Sequence, residues 1–273
     1  MKKAWVQAVA ATAALTVLQA LLSFLAPVTG GSDGSLLPFV LASNALTATV
    51  LVWLARRLGA RGLSRAAVLW AVWGGIVALS LAEAALFDIG IPGGDLPWIF
   101  AYWLAVSASF ALLVGGSFPP ARSSGLAPAA SAPSAPWARL AASALAYVFL
   151  YFVAGTLAYP YLREFYESRP MPATATLLAI QPFRGLAFAA IVLLLVRRLA
   201  ASRRAAALAA GVTLSVLGGV APLIIPNPYL PDAVRLAHLP EVGVSNFLFG
   251  LLAGWLLAPP RAQEGAEAVA LSA

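Results

Sequence analysis

Apolar residues run along this chain in eight long stretches, roughly 4–26, 36–55, 66–87, 97–115, 138–159, 174–197, 205–225 and 240–258, divided by short segments holding most of the charge and proline. At about 1.5 Å rise per residue, about 20 residues of helix cover a hydrocarbon core of about 30 Å, and helices satisfy their own backbone in lipid. The pattern predicts an all-α, polytopic transmembrane bundle of eight spans.

Composition supports that class. The 273 residues are 62% hydrophobic and 10% charged, against about 25% charged in soluble domains. Cysteine is absent and histidine occurs once, which excludes disulfide frameworks, thiol nucleophiles and every two-histidine metal motif. No cofactor is indicated. The sequence pI near 10.2 does not call for nucleic acid, because the basic residues form short clusters beside apolar runs.

Those clusters predict orientation. Thirteen of the 17 Lys and Arg fall on one side, among them Lys2, Lys3, Arg56, Arg57, Arg122, Arg139, Arg197, Arg198 and Arg261; Arg163, Arg169 and Arg235 fall on the other, and Arg184 lies within a span. By the positive-inside rule both termini are cytoplasmic. The opening MKKAWVQAVAATAALTVLQALLSFLAP has too long an apolar run for a signal core and no clear small-x-small cleavage site, so it reads as the first span. Residues 123–136, SSGLAPAASAPSAP, read as a cytoplasmic linker between a four-span half at 1–122 and another at 137–259, with a cytoplasmic tail at 260–273. Trp5 with Trp137, LARRL at 54–58 with LVRRL at 195–199, and Leu96-Pro97 with Leu239-Pro240 recur at offsets of 132, 141 and 143 residues. Two readings stay open: a duplicated four-helix unit in parallel orientation, or coincidence in an Ala/Leu-rich chain.

Ionisable residues inside the membrane are functional candidates by default. Arg184, with Gln181 one turn before it, lies roughly 10 to 15 Å into the sixth span from its outer end. Asn44 lies at similar depth in the second span, Glu83 near the outer end of the third, and Glu241, Ser245 and Asn246 begin the eighth, all in the outer half. A central arginine costs about 2.5 to 3.5 kcal/mol on insertion scales, so Arg184 needs a partner, and Glu83 and Glu241 are the carboxylates within depth. A structural ion pair and a ligand-binding arginine are both open readings. Pro182 would free a backbone carbonyl and loosen that helix.

The stretch PNPYLPDAVRLAHLPEVGVSNFLFG, residues 226–250, gathers the remaining polar groups. At about 100° per residue, Arg235, His238, Glu241, Ser245 and Asn246 share an arc of about 140° if the helix continues through Pro240. Asp232 suits an N-cap, and a short outer helix bending at Pro240 would turn this face into the bundle. Gly250 and Gly254 form G-x-x-x-G, a close-packing signal. GGSDG at 30–34 fits G-x-S-x-G but has no sheet to build a nucleophile elbow, so a Gly/Ser turn is preferred. The loop YPYLREFYESRPMP at 159–172 reads as an interfacial aromatic turn.

The 226–250 segment, with weaker likeness at YFVAGTLAY and QPFRGLAF, resembles uncharacterised bacterial polytopic inner-membrane proteins. The resemblance implies a bacterial inner-membrane address and carries no activity, ligand or catalytic residue. Three functions compete. One is a binder or transporter of a small or lipid-like, anionic ligand in an outward-facing pocket of Asn44, Glu83, Gln181, Arg184, Arg235, His238, Glu241 and Asn246. The second is a structural or assembly subunit. The third is an intramembrane enzyme on a lipid-linked substrate, with Glu241 or His238 as base. Membrane lipids and the unidentified ligand are the partners expected.

Overall fold

The computed structural model describes residues 2–25, 35–87, 91–117, 136–169, 172–199 and 201–259. The turn at 30–34, the linker up to residue 135, the tail at 260–273, and Arg122 and Arg261 lie outside the described residues.

The eight expected spans appear as eight helices: α1 (Lys2–Leu21), α2 (Leu37–Ala55), α3 (Gly62–Leu86), α4 (Leu96–Ser117), α5 (Pro136–Glu167), α6 (Thr174–Arg198), α7 (Arg203–Ile224) and α8 (Asp232–Leu257). Helices α2 to α8 are long and apolar enough to cross a membrane, while α1 contributes a shorter apolar helix, Trp5–Leu21, followed by a 3₁₀ turn at Ser23–Leu25. Among the described residues there is no β-strand, only the isolated bridges Leu58–Leu199 and Asn227–Leu230. The protein is a multi-pass, all-helical membrane protein.

Two helices outrun their apolar stretches. Helix α5 continues through Pro160 to Glu167, so most of the segment expected as an interfacial turn is helical. The i,i+4 pair Arg163 Nε to Glu167 Oε1, 2.7 Å apart, supports that last turn. Helix α8 starts at Asp232 and passes unbroken through Pro240. Pro231, rather than Asp232, occupies the N-cap, and Asp232 stands in the first turn, where its charge complements the helix dipole. Inside α7, residues Val216–Val220 form a π-helical turn just before Pro222.

Helices successive in the chain alternate in direction, and contacts between helix termini mark the two ends of the bundle. At one end, the Arg57 end, the Gly59 amide donates to the Arg198 carbonyl at 2.9 Å, joining the two RRL segments. There Arg139 Nη1 and Arg203 Nε donate to the Leu256 and Trp255 carbonyls, satisfying acceptors that the C-terminus of α8 leaves unpaired. At the other end, the Tyr166 end, the rings of Phe87 on α3 and His238 on α8 each lie 6.0 Å from that of Tyr166 on α5.

The packing scheme of the first four helices recurs in the last four: α1 on α2 as α5 on α6, α3 on α4 as α7 on α8, α1 on α4 as α5 on α8. Small residues permit the closest seam, α7 on α8. A Cβ at Gly250 would stand 2.6 Å from the Ala210 carbonyl oxygen, and one at Gly254 2.7 Å from the Ala207 Cα. The G-x-x-x-G pair therefore packs helices, as its spacing implied. The core is Leu, Val, Ala and aromatic side chains, including Leu51, Leu54, Val72, Phe110, Leu195 and Phe249.

Candidate functional site

A cavity of about 340 Å³ opens at the Tyr166 end between α3, α5, α6, α7 and α8, within the usual range of about 300 to 1,000 Å³ for ligand sites. Its polar lining includes Glu83, Tyr147, Tyr151, Tyr166, Arg184, His238, Glu241, Ser245 and Asn246. These side chains come from helix faces that an apolar bundle brings together only by packing; each is carried on a helix that crosses the membrane.

Arg184, on α6, is buried, and its guanidinium grips Glu83 on α3 through both oxygens, Nη1 to Oε1 at 2.5 Å and Nη2 to Oε2 at 2.7 Å. Of the two carboxylates at suitable depth, Glu83 is the partner. Gln181 Oε1 accepts a further bond from Nη1 at 3.2 Å. The guanidinium carbon also stands 5.7 Å from the Tyr147 ring centre and 5.5 Å from that of Phe188, within the range of cation–π attraction. The bidentate fork is the geometry that best compensates a charge withdrawn from water. It is incomplete: Arg184 Nε and Gln181 Nε2 are buried without an acceptor.

The second polar group is a chain of three side chains. His238 Nδ1 lies 2.5 Å from Glu241 Oε2, and His238 Nε2 lies 3.0 Å from the Tyr166 hydroxyl. An ionised Glu241 fixes the tautomer with the proton on Nδ1, leaving Nε2 to accept from Tyr166. The i,i+3 spacing of His238 and Glu241 across Pro240 is what puts both groups on one helical face. Below them Asn246 Nδ2 donates to the Gly218 carbonyl at 3.3 Å. Pro222 has no N–H, so the carbonyl four residues earlier, that of Gly218, loses its α-helical donor, and Asn246 supplies one.

Three aromatic rings form the cavity floor. Tyr147 lies 5.4 Å from Phe188 and 5.2 Å from Phe249, and Phe188 lies 6.4 Å from Phe249, between ring centres.

Three of the expected pocket residues lie outside the cavity lining. Asn44 is buried on the α1–α2 seam, where its Nδ2 donates to Gln19 Oε1 at 2.8 Å and Thr16 Oγ1 at 3.0 Å. Arg235 shares the helical arc but turns its long side chain back, donating from Nη1 to the Leu223 and Ile224 carbonyls at 2.7 and 3.0 Å while Asp232 holds its other edge. It caps the end of α7. Gln181 stands behind Arg184 rather than in the wall. Sequence reasoning missed the tyrosines: Tyr147 and Tyr151 stand one turn apart on α5, a spacing that could have shown them as one face, whereas Tyr166 lies beyond the apolar stretch. Comparison with protein-family models, curated proteins and solved structures found no match to this chain.

Proposed function

We propose that this membrane protein binds the polar, oxygen-bearing head of a small or lipid-like molecule in the Tyr166-end cavity. The observation that carries the reading is the cavity's polar wall, where Arg184, though paired with Glu83, keeps a buried Nε–H without an acceptor. Buried donors of this kind are rarely left unmatched, and a phosphate, carboxylate or hydroxyl oxygen would complete the fork. The Glu83 carboxylate neutralises Arg184, so the cavity recognises oxygen geometry more than net charge. The aromatic floor of Tyr147, Phe188 and Phe249 favours binding over passage through the bundle. With the basic clusters inside, the cavity faces outward, and both termini lie in the cytoplasm.

The complete pairing of the other charges favours a second reading, a structural subunit whose polar groups only lock helices together. Native mass spectrometry of the detergent-purified protein separates the two. The paired exchange Glu83→Arg with Arg184→Glu keeps an ion pair between α3 and α6 but moves the guanidinium. Wild type should carry a copurified small molecule or lipid that the exchanged protein lacks at an unchanged melting temperature. Equal adducts on both would remove the cavity from the reading and leave the structural role.

A further inference from the structure

Outside the cavity, on the surface that helices α5 and α8 turn away from the bundle, runs a groove of about 350 Å³. On α8 it is lined by Ala237, Pro240, Glu241, Val244, Ser245 and Leu248, and α5 presents the same spacing from Leu150 to Tyr161. Two antiparallel helices thus contribute matching stripes at i, i+3, i+4, i+7, i+8 and i+11. The stripe rises about 16 Å at helical pitch, close to half of a hydrocarbon core of about 30 Å. One leaflet of a bilayer, and so one acyl chain, has that depth. Small side chains, Ala154 and Ala158 on α5 with Ala237 and Pro240 on α8, hollow the groove out. Leu157 is 72% exposed and Val244 57% exposed, so its rim belongs to the membrane-facing surface.

The groove is apolar except where it meets the cavity. Glu241 and Ser245 line both spaces, as do Leu150 and Ala154 on the opposite side. Glu241 Oε1 leans over Gly155, about 4.0 Å from where a Cβ would stand, so α5 leaves room for the carboxylate between the two. A carboxylate bordering an acyl-lined groove is costly in a membrane unless polar atoms lie beside it. The shared wall supplies that neighbour: head group on the inner side, hydrocarbon on the outer.

The geometry points to a membrane lipid as the occupant, its acyl chain lying in the α5–α8 groove and its head group passing between α5 and α8, beside Glu241 and Ser245, into the cavity, entered sideways from the bilayer. The inference rests on the binding role proposed for the cavity and names the class of molecule. Continuity of the apolar groove with the polar cavity, together with the leaflet-length stripe, selects a lipid over a wholly water-soluble ligand.

The test uses the full-length protein in nanodiscs containing phosphatidylglycerol with a photoactivatable diazirine near the end of its acyl chain. Crosslinks should concentrate on Val153, Val244 and Leu248, and Val153→Trp, which fills the groove at a position that does not line the cavity, should abolish those at Val244 and Leu248. Labelling spread evenly over other exposed apolar positions such as Leu46 and Leu112 would overturn the proposal, and that comparison needs only the wild type should the variant not fold. Binding of glycerol phosphate, a head group without a chain, is measured alongside. If Val153→Trp keeps it, the loss belongs to the groove. Evenly spread crosslinks with glycerol phosphate bound in an Arg184-dependent way reject the lipid but keep the cavity; absence of both rejects the cavity as well.

Discussion

The Arg184 guanidinium closes a bidentate ion pair on Glu83, 101 residues earlier in the chain, and in doing so ties α6 to α3 across the bundle. Leaving one member of such a pair unmatched is costlier than the pair's net worth, because the charge left behind stays out of water. Arg184→Ala should therefore lower stability by about 3 kcal/mol, the lower end of the range for a broken buried pair, since the Glu83 side chain keeps 28% of its exposure. Adding Glu83→Gln should restore part of the loss. Thermal unfolding of the two single variants and the double variant in detergent gives the cycle, and additive effects would mean the pair contributes no coupling.

A different kind of dependence links Asn246 to Pro222. The amide exists to serve a carbonyl that the proline leaves without a donor, so Asn246→Ala should cost about 1 to 2 kcal/mol, the penalty for an orphaned buried acceptor. Pro222→Ala, by returning the N–H, should make the same Asn246 substitution nearly neutral. Equal penalties in both backgrounds would show that the asparagine acts in some other way.

The α7–α8 seam predicts a contrast between glycines. Gly250→Ala would force a Cβ to within 2.6 Å of the Ala210 carbonyl oxygen, and overpacking of this sort costs about 1 to 3 kcal/mol. Gly155→Ala meets only the Glu241 carboxylate at 4.0 Å and should leave the melting temperature unchanged. Comparable destabilisation at both positions would place the seam's tightness in doubt.

How far the sequence reveals this arrangement depends on which physical signal each part leaves. Hydropathy marks the helices because lipid demands apolar length, and the cost of an intramembrane arginine singles out Arg184. Depth alone could not choose between Glu83 and Glu241, since it carries no information on which helices touch. The same blindness placed Asn44 in the pocket, when its helix instead packs against α1 and pairs it with Gln19. The helical arc correctly grouped His238, Glu241 and Asn246 but gave no account of side-chain reach, and Arg235 is long enough to fold back onto α7. Tyr166 was lost because Tyr159 and Pro160 look like an interfacial stop. The helix runs on past them on polar side-chain pairs that hydropathy does not register.

Orientation rests on the unequal division of basic residues between the two ends, and reporter fusions test it. Alkaline phosphatase joined after Arg122 should be inactive and joined after Arg169 active, because only the second would lie outside the cytoplasm. The opposite pattern would turn the cavity inward and require any ligand to arrive from the cytoplasmic leaflet.

Accessibility within α8 is the sharpest measurement of the cavity itself. His238, Glu241 and Asn246 descend the same face of the helix, and all three line the cavity, while Leu248 faces the apolar groove on the other side. The chain has no cysteine, so a single introduced thiol reports on one position at a time. Polar ends of membrane helices commonly sit in water, and reaction at His238 alone would say little. Asn246 is about 12 Å further along the helix than His238 at 1.5 Å per residue, too deep to be reached by fraying of an end. Cysteines at His238, Glu241 and Asn246 should react with a membrane-impermeant thiol reagent added at the Tyr166 side, with rates falling gradually with depth, and Leu248→Cys should stay unreactive because the groove beside it is filled by lipid. Phosphatidylglycerol added back to delipidated protein should slow the reaction at Glu241 and Asn246 if its head group occupies the cavity. If Asn246→Cys proves as inert as Leu248→Cys, water does not reach the Arg184 level and the polar groups serve only to hold α8 against α3, α5 and α7.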